Sequence, residues 1–478
     1  MGEDVVVLTG EALDCAQVQV VARMGGSVKI SDAGLARAYA AHIMVDQLLT
    51  ERPIYGRSTG VGANRDVDVP DPAGHGVRLL RSHCGGAGPL LPTEVARAML
   101  LVRLNQLAVG GSGVDPALLT ALATALNLGL SPPVHRYGAI GTGDLAALAG
   151  TALCLLGERD WHGGTMAPYR IEDTDALAFL SSNAATLGQA ALASHDLTAL
   201  LSASLTVAAL SLVAIGASPE PLHPAVQLAR GHPGQRRAAQ AVRTLLGDGS
   251  GPGRRIQDPY GFRVLPQVHG AALDAAGHLD QVLRIELNSA SENPLIDADE
   301  RDVWHNGNFH AAELALALDT ARLALVPAAA LSAARLSTVL NPAFTGLPPF
   351  LADGPPGSSG LMILEYVAHD ALADLRHFAG PAVLASAVVS LGVEDHASFA
   401  PVAARRTADT VAAYPVLLAC ELIAAVRAIR LGDLAVPVPL RAVLDRLSPL
   451  DPDPRDRPLD ADLATAITLL PTLADPTP

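Results

Sequence analysis

Apolar residues recur at three- and four-residue spacing along most of this 478-residue chain, the pattern of helices that bury one face or all of their surface. The spacing predicts helices over Leu13–Ala22, Asp32–Leu49, Thr93–Ala108, Leu145–Leu156, Asp175–Ala217, Ala271–Asn288, Ala311–Leu340 and Met362–Phe378. A short strand, VVVLTG, precedes the first of them. Residues 51–92 are Gly-rich and read as loop, Asn341–Ser359 reads as a long Pro- and Gly-rich connection, and the chain after Leu447 is rich in Pro and Asp. Strand signals are otherwise nearly absent, so the predicted class is all-α with a long central helical bundle. The expected division is an N-terminal part over 1–195, a long-helix bundle over 196–440 and a tail over 441–478. Leu197–Pro219 has no charged residue and is long enough to cross a bilayer. Its Ala, Ser and Thr content, with His195 and Asp196 at its entrance, predicts a helix buried in a helical core instead.

Composition narrows the function. Half the residues are apolar but only 3% are aromatic, so the core must be built from Ala, Leu and Val. A formal charge of −15 repels phosphate backbones and anionic lipid, which argues against nucleic acid or membrane as partner. Lys29 is the sole lysine, in a segment that reads as a surface turn, so Schiff-base chemistry is disfavoured. Four scattered cysteines without a CxxC pair, and a start (MGEDVVVLTG) without an export signal, lead us to expect a reducing, cytoplasmic setting. No HxH or HExxH spacing suggests a metal site.

Six segments carry candidate chemistry. YGRSTGVG (Tyr55–Gly62) is a tightly turning loop whose tyrosine could work as a general acid or base, or simply pack the turn. RSHCGGAGPL (Arg81–Leu90) sets His83 beside a Gly run. YGAIGTGDLAALAG (Tyr137–Gly150) is a Gly-rich turn feeding a helix, with Asp144 placed in its first turn; it lacks the ending of a phosphate loop. RRIQDPYGFRVLPQVHG (Arg254–Gly270) is polar between apolar helices, and Arg263 could clamp a carboxylate through paired N–H donors or form a surface ion pair. ELNSASENPLI (Glu286–Ile296) with HNGNFH (His305–His310), and SLGVEDHASFAP (Ser390–Pro401), read singly as capped helix ends and solvated loops.

Taken in order, QDPYGFRVLPQVHG, NSASENPL, the YG..TG.G loop, Ser82-His83 and the GDLA helix start resemble the histidine and aromatic amino-acid ammonia-lyases and related aminomutases, from about Gly10 to Leu431. The resemblance implies the fumarase/aspartase-like helical fold and a homotetramer whose sites draw on three chains. It implies Tyr55 and Tyr260 as acid/base phenols and Arg263 as carboxylate anchor. Gln257, Asn308 and Phe309 would line the pocket, with His83 and Glu394 selecting the substrate side chain. The family's electrophile is a methylidene-imidazolone made from an internal Ala-Ser-Gly. Gly141-Thr142-Gly143 stands there, in a loop one residue shorter. The family's asparagine before its central helix is Ser181, with Asn183 two positions on, and its Asn-Gln before Glu394 is Gly392-Val393. These departures predict an uncyclised tripeptide and no cofactor. The expected enzyme uses its tyrosines for elimination, addition, cyclisation or isomerisation of a small amino-acid-like or carboxylate substrate, in specialised metabolism. The alternatives are a prosthetic-group-dependent ammonia-lyase or aminomutase, and a non-catalytic relative.

Overall fold

The computed structural model describes residues 5–69, 73–247 and 253–474. Helices dominate, and three two-stranded sheets are the β structure among the described residues. The predicted helices appear close to their expected bounds at Thr93–Leu107, Leu145–Leu155, Ala312–Val339 and Ile363–Phe378. Three long helices, Ala184–Ile215, Ala312–Val339 and Ala400–Leu431, account for much of the apolar pattern.

Two compact units can be distinguished, each discontinuous in sequence. The first comprises Met1–His195, Leu279–Leu318 and Pro381–Arg405. Helix Thr93–Leu107 runs through its core: every residue from Val95 to Leu107 is buried, including Arg97, Arg103, Asn105 and Gln106. A helix buried on all sides must satisfy its polar side chains internally. Arg103 does so by an ion pair to Glu292 at 2.8 Å, both side chains being fully buried, and by donating to the carbonyls of Phe179 and Ala178. Asn105 donates to Leu287 O at 2.9 Å and accepts from Gly10 N at 3.0 Å. The second unit comprises Asp196–His278, Asp319–Gly380 and Arg406–Pro478. Its core holds a comparable pair, Arg335 with Glu421, to which Ser211 and Ser332 also donate.

Some sequence expectations need correction. The run Asp175–Ala217 is not one helix: Ala176–Leu180 ends at Ser181, and the long helix starts afresh at Ala184. The run is apolar on every face, so periodicity carries no sign of the break. What marks it is the side-chain chemistry at its edge. Asp144 does not cap its own helix, as its place in the sequence suggested. Its carboxylate instead accepts from Thr186 N at 2.7 Å and Thr186 Oγ1 at 3.0 Å, serving the exposed amides at the start of Ala184–Ile215. The region 51–92 contains a helix, His75–His83, which buries Leu79 and Leu80, and a strand, Ala87–Leu90, paired with His135–Tyr137. The uncharged Leu197–Pro219 segment lies mostly in the Ala184–Ile215 helix. Three helical stretches are long and apolar enough to span a bilayer, but the relevant windows are 78%, 56% and 78% buried within the protein, which accounts for their apolar character without a membrane.

Two outcomes are expected from this packing. Arg103→Met strands the Glu292 carboxylate, whose Oε2 already lacks a partner, so urea unfolding should show a loss of about 3–5 kcal/mol, part of which returns in the Arg103→Met, Glu292→Met double variant. Burial, opposed by the Thr186 bonds, pushes the Asp144 carboxyl up to about 6 from 3.8. The folded chain therefore holds this proton more tightly than the unfolded chain, and the resulting stabilisation is complete below the unfolded value and disappears as pH rises to about 6. Stability relative to Asp144→Asn should fall between about pH 4 and 6 and level off above; a flat difference would exclude Asp144 as the titrating group.

Candidate active site

Within the first unit, a cavity of about 690 Å³ is lined by residues from six separate stretches of chain. The Tyr55 loop contributes Tyr55, Thr59, Gly62, Asn64, Arg65 and Asp66. His83, Thr142, Ser181 and Leu177 come from the next stretches, Asn293, His305 and Phe309 from the segment after residue 290, and Ser390, Val393 and Glu394 from the loop before the last long helix. Tyr55, His83, Thr142, Ser181, Phe309 and Glu394 are thus brought together. Asn308 is exposed and is not among the lining residues. Gln257, Tyr260 and Arg263 belong to the second unit and do not line this cavity. There Arg263 donates to Gln257 Oε1 and lies 4.8 Å from the Tyr260 ring centroid, and the Tyr260 side chain is 67% exposed.

The Tyr55 loop is anchored at its base by Arg57, which is buried, donates to Ser112 O at 2.7 Å and lies 3.7 Å from Asp175. Tyr55 N donates to His305 Nε2 at 3.2 Å, so that nitrogen is unprotonated. Burial, then the nearby Arg52, lowers the His305 pKa and favours this neutral form. The Tyr55 phenol oxygen accepts from Gly62 N at 2.7 Å across the loop. Gly62 has φ +57, which glycine adopts without strain. Burial raises the Tyr55 pKa above its ordinary value and Glu394 raises it further, while the Gly62 amide and Arg65 oppose the shift. The phenol is therefore protonated at neutral pH, with a donor already in place to stabilise its phenolate.

His83 Nδ1 lies 2.9 Å from Leu79 O, a contact that requires Nδ1 to carry a proton and leaves Nε2 free to meet a ligand. Ser181 Oγ accepts from Asn293 N at 2.9 Å, tying the break before the long helix to the NSASENPL segment. Asn183 Nδ2 donates to Phe309 O, and its Oδ1 is buried without a partner. The antiparallel pair Leu295–Asp297 with Asp302–Trp304 folds His305–Phe309 back toward Asn293, whose Oδ1 accepts from Asn306 N at 2.9 Å.

At the tripeptide, Gly141 has φ +97 and Gly143 φ +108. Ser398 Oγ donates to Gly141 O at 3.1 Å, and Phe399 N donates to Ile140 O at 2.8 Å. A Cβ at Gly141 would lie 2.0 Å from Ser398 Oγ and 2.9 Å from Phe399 N. Sequence reasoning did not single out His305, Asn293, Ser390 or the Asn64–Asp66 tip as site residues, although the motifs around His305 and Ser390 were visible. Their roles depend on contacts 250 or more residues away. Among the described residues, no group of three or more His, Cys, Asp or Glu could hold a metal ion.

Comparison with known proteins establishes the family. The family model for aromatic amino acid lyases matches residues 13–448. Histidine ammonia-lyase of Symbiobacterium thermophilum is 36% identical over 472 residues, covering 93% of each chain, and that of Streptomyces coelicolor is 36% identical over 96% of this chain and 95% of its own. Among solved structures, histidine ammonia-lyase from Trypanosoma cruzi superposes with TM-score 0.90 at 27% identity, covering 98% of this chain and 93% of that one. Ergothionase from Treponema denticola, an ergothioneine-degrading enzyme, gives 0.90 at 27% over 98% and 99%. Helical architecture, motif order and similarity over nearly the full length converge: the chain belongs to the aromatic amino acid lyase family and is a carbon–nitrogen lyase-type enzyme.

Proposed function

We propose that this enzyme performs tyrosine-mediated proton transfer on a small amino-acid-like or carboxylate substrate, in an elimination or its reverse, without a methylidene-imidazolone. The observation that carries this reading is the pairing of a half-buried, protonated Tyr55 with a tripeptide unsuited to the family's electrophile. The tripeptide residues do not fit that group. The alanine position is a glycine at φ +97, where a Cβ would collide with Ser398 Oγ and the Phe399 amide. The serine position is Thr142, whose extra methyl would hinder addition at the carbon meant to be attacked.

Without that electrophile, the substrate must bring an acidic C–H or a leaving group that needs only a proton. Tyr55 protonates the leaving group as its bond to carbon breaks and the Gly62 amide steadies the phenolate left behind, while Tyr260, as the phenolate of the acid/base pair, takes the proton from the C–H. His83 Nε2 and the Glu394 carboxylate meet a polar or cationic substrate side chain. Arg263 and Tyr260 complete the site from a neighbouring subunit of a homotetramer, with Arg263 taking the substrate carboxylate in a bidentate grip. The exposure of Tyr260 (67%) and of Ile256 (97%), four residues before it, supports a subunit contact there.

A second reading, a prosthetic-group-dependent histidine-type ammonia-lyase, is favoured by the 36% identity to histidine ammonia-lyases and by His83 and Glu394 sharing the cavity. Intact mass and absorbance separate the two. We expect the mass of the unmodified chain and no ultraviolet band that bleaches with borohydride; a chain lighter by two waters with such a band would establish the second reading.

Tyr55→Phe keeps the ring and removes the hydroxyl. Turnover of the substrate, identified by screening amino acids and unsaturated carboxylates, should fall by roughly 10²–10⁴ with the fold intact. Near-normal turnover would remove Tyr55 from the chemistry and leave Tyr260 as the candidate.

A further inference from the structure

The geometry points to Ser390 as a positioning residue that latches the Tyr55 loop over the cavity. This rests on the assignment of Tyr55 as the proton-transfer group. Ser390 Oγ accepts from Ala63 N at 2.9 Å, a bond across 327 residues between the tip of the Tyr55 loop and the loop carrying Glu394. The residue next to Ala63 is Gly62, whose own amide donates to the Tyr55 hydroxyl. A run of direct contacts therefore leads from Ser390 through two successive loop amides to the phenol.

Two further observations single out this contact. Ser390 and Leu391 have φ of +53 and +54, a left-handed conformation that non-glycine residues adopt at a cost. Such geometry persists where surrounding contacts over-determine it, and here the turn is closed by the pairing of Val389 with Glu394. The turn thus fixes the Ser390 hydroxyl and the Glu394 side chain together. The fit at Gly62 is also close, since a Cβ there would lie 2.4 Å from Ser390 Oγ and 3.7 Å from Glu394 Oε1. Any side chain at position 62 would push the loop off Ser390 and take the amide away from Tyr55. The latch works as a stop: the loop closes until Ala63 N meets Ser390 Oγ, and this sets the depth at which Tyr55 enters the cavity.

Ser390→Gly tests the latch without threatening the turn, because glycine adopts φ +53 freely and only the hydroxyl is lost. Hydrogen exchange, read by mass spectrometry on peptides spanning 56–69, should accelerate at least tenfold in Ser390→Gly while the rest of the chain keeps its protection. Ser390→Asn, which tolerates a left-handed φ and carries a carbonyl acceptor, should restore protection. With the substrate in hand, Ser390→Gly should lower kcat at least tenfold with KM changed less than threefold, since the loop positions the proton-transfer group and not the substrate. Unchanged exchange in Ser390→Gly overturns the latch, and so does exchange that accelerates with kcat unaltered. Failure of the underlying assignment gives a different result: accelerated exchange in Ser390→Gly with full activity in Tyr55→Phe would retain the contact and remove its catalytic purpose.

Discussion

The site depends on one buried ion pair. Arg103 sits in the middle of a helix with no access to solvent, and its guanidinium holds Glu292 of the NSASENPL segment while donating to the last carbonyls before the Ser181 break. Two stretches of chain that line the cavity, those of Leu177–Ser181 and Asn293, are thereby fixed to one helix. A charge at this position is costly unless fully engaged. That cost makes removal of either partner expensive and ties these segments to one another. Ser181 to Asn293 and Ser182 to Gln106 extend the same polar seam. The cavity is therefore bordered by a hydrogen-bonded seam in a core otherwise made of Ala, Leu and Val.

Above that floor, the site is built of loops, and each is held differently. Arg57 anchors the base of the Tyr55 loop through a carbonyl and a buried carboxylate. His305 accepts from the Tyr55 amide, and partial desolvation and Arg52 lower its pKa. Asp144 ties the turn after Gly143 to the start of the long helix. Loops that carry function on a rigid helical base are a common division of labour. Here the helices contribute few of the reacting groups and most of the positional constraint.

The long helices were legible because their apolar spacing is dense and uninterrupted, as in Ala312–Val339. The break at Ser181–Asn183 was not, because a segment buried on all faces has no polar stripe to lose. Helix His75–His83 was hidden by its glycine, histidines and arginines, which read as loop although Leu79 and Leu80 anchor it. At the site, the motifs that matched a family pattern were recovered, and Tyr55, His83, Ser181, Phe309 and Glu394 share one cavity. Ser390 and His305 could not be found that way: their partners are Ala63 and Tyr55, hundreds of residues distant, and each contact involves a backbone amide, which leaves no trace in side-chain identity. The expected division at residue 195 already separated Tyr260 and Arg263 from Tyr55; what motif order could not show is that Leu279–Leu318 and Pro381–Arg405, which carry Phe309 and Glu394, belong to the first unit.

The fit of Ser398 and Phe399 against Gly141 has an evolutionary consequence. With Ser398 Oγ and the Phe399 amide where they are, an alanine at 141 is excluded by contact as well as by backbone conformation. Mutations at 141 and 142 alone therefore cannot restore the family's tripeptide; the Ser398–Phe399 backbone must first withdraw. The order of substitutions matters, and each intermediate along the way carries a penalty. Such a contact acts as a ratchet. A serine and a backbone amide packed against position 141 make glycine the residue that fits there, and any larger residue waits on movement of its neighbours.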